Sequence, residues 1–297
     1  MTMRTQLSEL IERKGLTQSQ VARAIGKSVA VINQYLQGKY NGDVDGVNKI
    51  VSEFIERVRE KDKLQRIEAS FVSTSTSKKA LEIIRLAHVD AEINVIYGEA
   101  GLGKTMALKH YAAANSTALL IEADPSYTAR VLLEEICSRL NLSTRGNMHE
   151  LFELCVNKLR DSGYLLMIDE GELLPHRALE VLRRIHDKSG IGIVLAGMPR
   201  LILNLKGKRG EFVQLYSRVG FALNLGNALP QDDTDAISES LIPDAWTPEM
   251  GAVLYKESRG NARRLFKLLR GVVRTSHIND RPVSVSTVRQ FAEMLIN

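Results

Sequence analysis

Ile93-Asn-Val-Ile-Tyr97 runs directly into Gly98-Glu-Ala-Gly-Leu-Gly-Lys-Thr105, and the helix-compatible Met106-Ala-Leu-Lys-His-Tyr-Ala-Ala113 follows. The order is a β-rich run, a complete G-x-x-x-x-G-K-[ST] loop and a helix start, as a phosphate-binding strand–loop–helix unit requires. Glycines let the backbone wrap closely, so that successive N–H groups and the helix N-terminus face a polyphosphate. Gly98, Glu99, Ala100, Gly101, Leu102, Gly103, Lys104, Thr105 and Met106 are therefore expected to cradle a nucleoside triphosphate, ATP, with Mg²⁺. Lys104 would reach the outer phosphates, and Thr105 would place its hydroxyl on Mg²⁺. The competing reading, a Gly-rich turn with an exposed lysine, does not account for the strand before and the helix after.

About 65 residues downstream, Tyr164-Leu-Leu-Met-Ile-Asp-Glu170 reads as an apolar strand ending in two carboxylates. In open α/β sheets the C-terminal strand edge is where ligands bind. Asp169 would hold Mg²⁺ through its water shell, and Glu170 would polarise a water for attack on the γ-phosphate. From Lys78 to about Ala228 helical and strand-like segments alternate, which predicts a parallel sheet flanked by helices. Its strands are expected at Ile93–Tyr97, Ala118–Ala123, Tyr164–Ile168, Gly192–Ala196 and Phe221–Leu225.

The first 64 residues have a different character. Apolar periodicity predicts helices near Arg4–Lys14, Thr17–Ile25, Ser28–Leu36 and Val44–Leu64, punctuated by Gly15, Gly26 and Gly38. Leu16 to Gly38 has the pattern of a helix-turn-helix, with small Ala22 at the helix contact, Gly26 in the turn, and Val31, Ile32 and Leu36 facing inward. It resembles the phage-repressor type of DNA-binding domain. That resemblance puts the helix from Ser28 in a major groove, offering Ser28, Ala30, Asn33 and Gln34, with Lys27 and Lys39 at phosphates. The same residues also suit an ordinary solvated helix face.

Residues 65–77, rich in Ser and Thr and without helical period, are expected as a linker. Residues 229–297 look wholly helical and form the expected lid. Charge is segregated there: Asp232 to Glu249 holds six acidic residues and no Lys or Arg, whereas Gly251 to Asn297 holds nine Lys/Arg against three Asp/Glu. The net charge of +5 over 297 residues permits an anionic partner. Cys137 and Cys155 have no second Cys or His at metal spacing, so buried thiols in a reducing compartment are expected. Early charges at Arg4, Glu9 and Glu12, and no run of ~20 apolar residues, argue for a cytoplasmic protein without a membrane segment.

The adjacent Asp169-Glu170, the further strand Gly192-Ile-Val-Leu-Ala-Gly197 and Arg259-Gly-Asn-Ala-Arg-Arg-Leu265 resemble the AAA+ ATPases. The resemblance implies a lid arginine at Arg263 that touches the nucleotide. It also implies a finger arginine supplied to the neighbouring subunit, at Arg218 or alternatively Arg209. One departure stands out: the fourth strand ends in Gly197-Met198-Pro199 where that family usually places Asn, Thr or Ser. Met cannot orient a water well, so hydrolysis is expected to be slow or dependent on a partner.

Gln37-Gly-Lys-Tyr-Asn-Gly-Asp43, Leu195-Ala-Gly-Met-Pro-Arg200 and Glu211-Phe-Val-Gln-Leu-Tyr-Ser-Arg-Val219 look like segments of the B-type transposition ATPases of Mu-like phages, and this resemblance covers nearly the whole chain. It implies ATP-dependent, largely sequence-independent binding of duplex DNA as a helical homo-oligomer, which captures target DNA and activates a transposase, with hydrolysis driving disassembly. Arg130, Lys206, Lys208 and Arg209 are candidate phosphate contacts. Two other readings compete: a helix-turn-helix transcriptional regulator with an ATP-controlled switch, and a replication initiator or helicase loader.

Overall fold

The computed structural model describes residues 2–64, 70–207 and 216–295. The chain divides into two compact units, Met1–Glu68 and Ala69–Asn297.

The first unit consists of α1 (Met3–Lys14), α2 (Gln18–Ala24), α3 (Val29–Leu36) and α4 (Val44–Leu64). Its sequence carries the stop and start signals of each helix. Gly15 caps α1 in the left-handed conformation, and Thr17 with Gln20 forms a capping box that opens α2. Ser28 accepts from the Val31 N–H at 3.3 Å and so opens α3; such a cap is worth about 1 kcal/mol. Leu7, Val21, Ala22, Ile32, Tyr35, Val51 and Ile55 are buried together. Tyr35 was not among the inward residues expected from the sequence. It is buried because its hydroxyl finds a partner, donating to Asn48 Oδ1 on α4, while Arg4 of α1 lies over its ring at 6.0 Å.

The second unit is built on a five-stranded parallel sheet in the order β2-β3-β4-β1-β5. The strands are β1 (Ile93–Tyr97), β2 (Ala118–Glu122), β3 (Leu165–Asp169), β4 (Gly192–Gly197) and β5 (Val219–Asn224). Five strands stand where five were expected, with ends displaced by one or two residues. β3 and β4 are buried along their whole length, as the central strands of a sheet covered on both faces must be.

Alternate residues supply the two faces. Val95, Leu166, Ile168, Ile193 and Leu195 pack with α7 (Ala129–Arg139), α8 (Met148–Leu159), α9 (His176–Ser189) and α10 (Arg200–Lys206). Ile96, Leu165, Met167, Val194 and Ala196 pack with α5 (Ser75–Asp90) and α6 (Lys104–Ala114). α5 begins at Ser75, inside the stretch read as linker, because Thr74 and Ser77 cap each other reciprocally. No periodic apolar face announces such a start.

Asn94 is a polar residue fully buried inside β1. β5 carries one extra residue against β1 between Ile93 and Val95. Asn94 fills that irregularity: its amide donates to the Ile83 carbonyl at 3.1 Å, and its Oδ1 accepts from the Phe221 N–H at 2.9 Å.

After β5 come α11 (Gln231–Leu241), α12 (Pro248–Ser258), α13 (Ala262–Asn279) and α14 (Val285–Glu293). They share buried Met250, Leu254, Leu265, Leu268, Leu269, Val272 and Val288. The lid is fixed to the core by Asp233 of α11, whose carboxylate accepts from the N–H groups of Ser75 and Thr76 at 2.8 and 2.9 Å. No described helix is long and apolar enough to cross a membrane.

Candidate functional site

The loop Gly98–Gly103 leaves β1 at the C-terminal edge of the sheet and enters α6 at Lys104. Gly101 and Gly103 have φ of 80° and 90°, a region in which a side chain is strained, and a Cβ on Gly101 would run into the Asn261 side chain. The Lys104 ammonium donates to the carbonyls of Gly98 and Glu99 at 2.7 and 2.9 Å. Burial pushes its pKa down; Glu172, Asp169, Glu170 and Glu99 act in the opposite direction without cancelling the effect.

Asp169 ends β3 and is buried, and Thr105 Oγ1 donates to its Oδ2 at 2.6 Å. Two motifs about 65 residues apart in sequence thus meet at one point. Asp169 Oδ1 accepts from the Glu170 N–H at 3.0 Å. Glu170 adopts φ 54°, an unusual conformation for a non-glycine residue, which turns the chain sharply out of β3. Its carboxyl pKa is raised by burial first, then by the negative charges of Glu172 and Asp169.

A cavity of about 490 Å³ opens above these residues. Gly101 to Met106, Glu170 and Arg263 line it together with apolar Val72, Leu229, Ile237, Leu241 and Phe266. Polar groups for phosphates and apolar side chains for a flat ring are the combination that a nucleotide requires. The oxygen donors Thr105 and Asp169 fit Mg²⁺, a hard cation that usually takes only one or two protein ligands and completes its shell with water and phosphate.

Arg263, in the first turn of α13, is among the residues that line the cavity. Asn261 was not foreseen. Its amide donates to the Ala100 carbonyl at 2.7 Å, and the Ala262 N–H donates to the Gly101 carbonyl at 2.9 Å. The sequence signal was present, an Asn directly before a helical run, but it marks only a helix cap and not the loop to which the cap is tied. Glu172 was also missed. One carboxylate oxygen is buried with no hydrogen-bond partner among the described residues, and it occupies the space into which a Cβ on Gly197 would project. Met198 lines the cavity, with the Glu172 carboxylate packed against Gly197 beside it.

The other sequence candidates lie elsewhere. Arg218 directly precedes β5, at the sheet edge opposite the phosphate loop, and donates to Asp187 at 3.0 Å. Arg130 opens α7 and is engaged by Glu134 at 2.8 Å and by the Gly146 carbonyl at 3.0 Å. Lys206 ends α10, with its ammonium 5.1 Å from the centre of the Tyr216 ring. Lys208 and Arg209 fall outside the described residues. In the first unit Lys27, Ser28, Asn33, Gln34 and Lys39 are exposed on and around α3. The Ser28 oxygen serves as the helix cap, and Asn33 Oδ1 accepts from the Gln37 amide at 2.7 Å, so of the three uncharged candidates Gln34 has the least engaged side chain. Cys137 and Cys155 are buried thiols, as expected, but their sulfurs face each other at 3.4 Å across α7 and α8.

Residues 87–205 match the AAA domain family, and residues 7–45 match a helix-turn-helix family. The Mu-like prophage FluMu DNA transposition protein B of Haemophilus influenzae is 28% identical over 246 residues, covering 81% of this chain and 85% of its own length. The ATP-dependent target DNA activator B of Escherichia phage Mu is 30% identical over 249 residues, covering 82% of this chain and 77% of its own. Among solved structures, the ORC2 protein of Aeropyrum pernix superposes with a TM-score of 0.61 at 19% identity, covering 79% of this chain and 72% of its own. The RuvB Holliday junction branch migration motor of Thermotoga maritima does so with a TM-score of 0.51 at 19% identity, covering 78% and 73%. At such identities the likeness to these structures is one of fold. The relatives in sequence go further: the chain belongs to the family of ATP-dependent target DNA activator B proteins.

Proposed function

We propose that this protein is an ATPase of DNA transposition that assembles on duplex DNA in its ATP state, captures target DNA and activates a transposase, and that hydrolysis releases the assembly. The observation that carries the reading is the convergence of Lys104, Thr105, Asp169, Glu170 and Arg263 around one cavity, in a chain that also bears a helix-turn-helix unit.

The residues have distinct roles. Loop N–H groups and the N-terminus of α6 hold the phosphates, and Lys104 exchanges its carbonyl partners for phosphate oxygens. Thr105 and Asp169 would hold Mg²⁺, which offsets the charge that develops on the phosphates. Glu170 takes a proton from the attacking water. Arg263 reads the bound nucleotide from the lid. Arg218, at the opposite sheet edge, cannot serve its own cavity and is available to a neighbour's. A site completed only between protomers binds ATP better in the assembled state, so ATP favours assembly. Many weak phosphate contacts along a filament then sum to tight, salt-sensitive and largely sequence-independent DNA binding.

The test is ATP turnover and negative-stain imaging with and without random duplex DNA. ATP-dependent filaments on any duplex are the expected result. Protection of a single site without polymer would instead favour a transcriptional regulator.

A further inference from the structure

α13 carries no acidic residue along its length, and its cations are ordered. Arg263, Lys267, Arg270 and Arg274 recur at spacings of four, three and four, which at about 100° per residue confines them to an arc of roughly 60°. All four are exposed, and the opposite face is buried through Leu265, Leu268, Leu269 and Val272. No apolar side chain lies between them on that arc.

None of the four is bridged to a carboxylate among the described residues. Several other helical arginines of this unit do have such a partner: Arg85 pairs with Glu82, Arg139 with Glu135 and Arg183 with Glu180. Like charges three or four residues apart on a helix repel by some tenths of a kcal/mol per pair. The stripe therefore carries a standing cost that an anionic partner would relieve. It runs for about 16 Å, with neighbouring cations about 4.5–6 Å apart along the axis. A folded protein partner would be met by an apolar centre with a polar rim. A bare row of cations suits the regular charge of a nucleic-acid backbone.

We propose that Lys267, Arg270 and Arg274 of this stripe dock the phosphate backbone of duplex DNA, and that the nucleotide governs their presentation through Arg263 in the first turn of the same helix. The inference rests on the function proposed above and assigns its DNA contact to the lid. The link to nucleotide is physical. Arg263 lines the cavity, Asn261 and Ala262 are bonded to the phosphate loop, and α13 continues without a break to Lys267, Arg270 and Arg274.

The experiment uses the full chain with a labelled random-sequence duplex and a non-hydrolysable ATP analogue, titrated across a series of salt concentrations. The variant is Lys267→Gln with Arg270→Gln and Arg274→Gln; Arg263 is left intact. The slope of log K against log[salt] should become shallower by about one unit per cation removed, with affinity falling at least about tenfold. Nucleotide affinity and melting temperature should hold. Arg270→Lys with Arg274→Lys, which keeps the charge, should retain the slope. An unchanged slope in the Gln variant while wild type binds duplex would overturn the assignment to α13 and leave the proposed function standing. The same result with lost binding to polyglutamate would reassign the stripe to an acidic protein. Failure of wild type to bind any duplex would overturn the proposed function, and the stripe with it.

Discussion

The Asn261 side chain donates to the Ala100 carbonyl at 2.7 Å while its oxygen accepts from the Arg264 N–H at 3.1 Å, so one residue both starts α13 and fastens it to the phosphate loop. Asn261→Asp keeps the cap and loses the donor to Ala100. Nucleotide affinity should fall by about tenfold or more, the equivalent of one lost charge-free hydrogen bond plus a carboxylate near phosphates, with little change in melting temperature. Binding of a fluorescent ATP analogue, measured beside thermal melting, checks both halves. Equal affinity in the variant would mean that the latch is structural only.

Glu170→Gln preserves shape and removes the base. Turnover should drop by about 10²-fold or more while ATP-driven assembly persists or lengthens in lifetime, because ATP is held without being cleaved. Lys104→Ala should instead lose nucleotide binding itself. Single-turnover assays with equilibrium binding separate the two.

Arg218 pairs with Asp187, and the Arg218 side chain is about half exposed, so Arg218→Ala should cost the monomer no more than about 1 kcal/mol. Its effect on assembly should be far larger: loss of ATP-dependent polymer and of stimulated hydrolysis, with nucleotide binding by the monomer kept. Sedimentation in the presence of ATP reads this directly. Normal polymer from the variant would rule out the trans assignment.

Asp233 gives a pH signature. Burial raises its pKa, but the hydrogen bonds from Thr76 and Ser75 outweigh burial, and the net shift is downward. A carboxylate depressed in the folded state contributes stability that is complete above the unfolded pKa, near 3.9, and is lost as pH falls through the folded value. Asp233→Asn should therefore melt lower than wild type at neutral pH. The gap between the two should narrow in acid, below about pH 4. Melting curves across that range test it, and a constant gap would mean that the charge is not what holds the lid to α5.

Much of this molecule is written locally. The strand before the phosphate loop, the apolar run ending in Asp169-Glu170 and the capping signals at Thr17 and Ser28 depend on neighbours within a few residues, and each is where the sequence puts it. Nothing local accounts for Asn94 inside a buried strand; the extra residue in β5 supplies its partner at Phe221. Nothing local marks Tyr35 as buried; its partner Asn48 comes from α4. Cys137 and Cys155 look like unrelated thiols until α7 and α8 pack. In each case the partner lies far enough away in the chain that no spacing rule connects the two.

The sequence alone determined that the protein holds a phosphate loop, a following acidic strand end and a helical DNA-binding pattern, because these need only consecutive residues of the right kind. Tertiary structure decided what those parts can do together. Parallel pairing in the order β2-β3-β4-β1-β5 brings Thr105 to Asp169 and sends Arg218 to the far edge. The fold of the lid ties Asn261 to Ala100 and turns four cations of α13 to one side. A sheet can be closed in only a few orders, but which one is chosen depends on burying both its faces at once, a property of the whole chain.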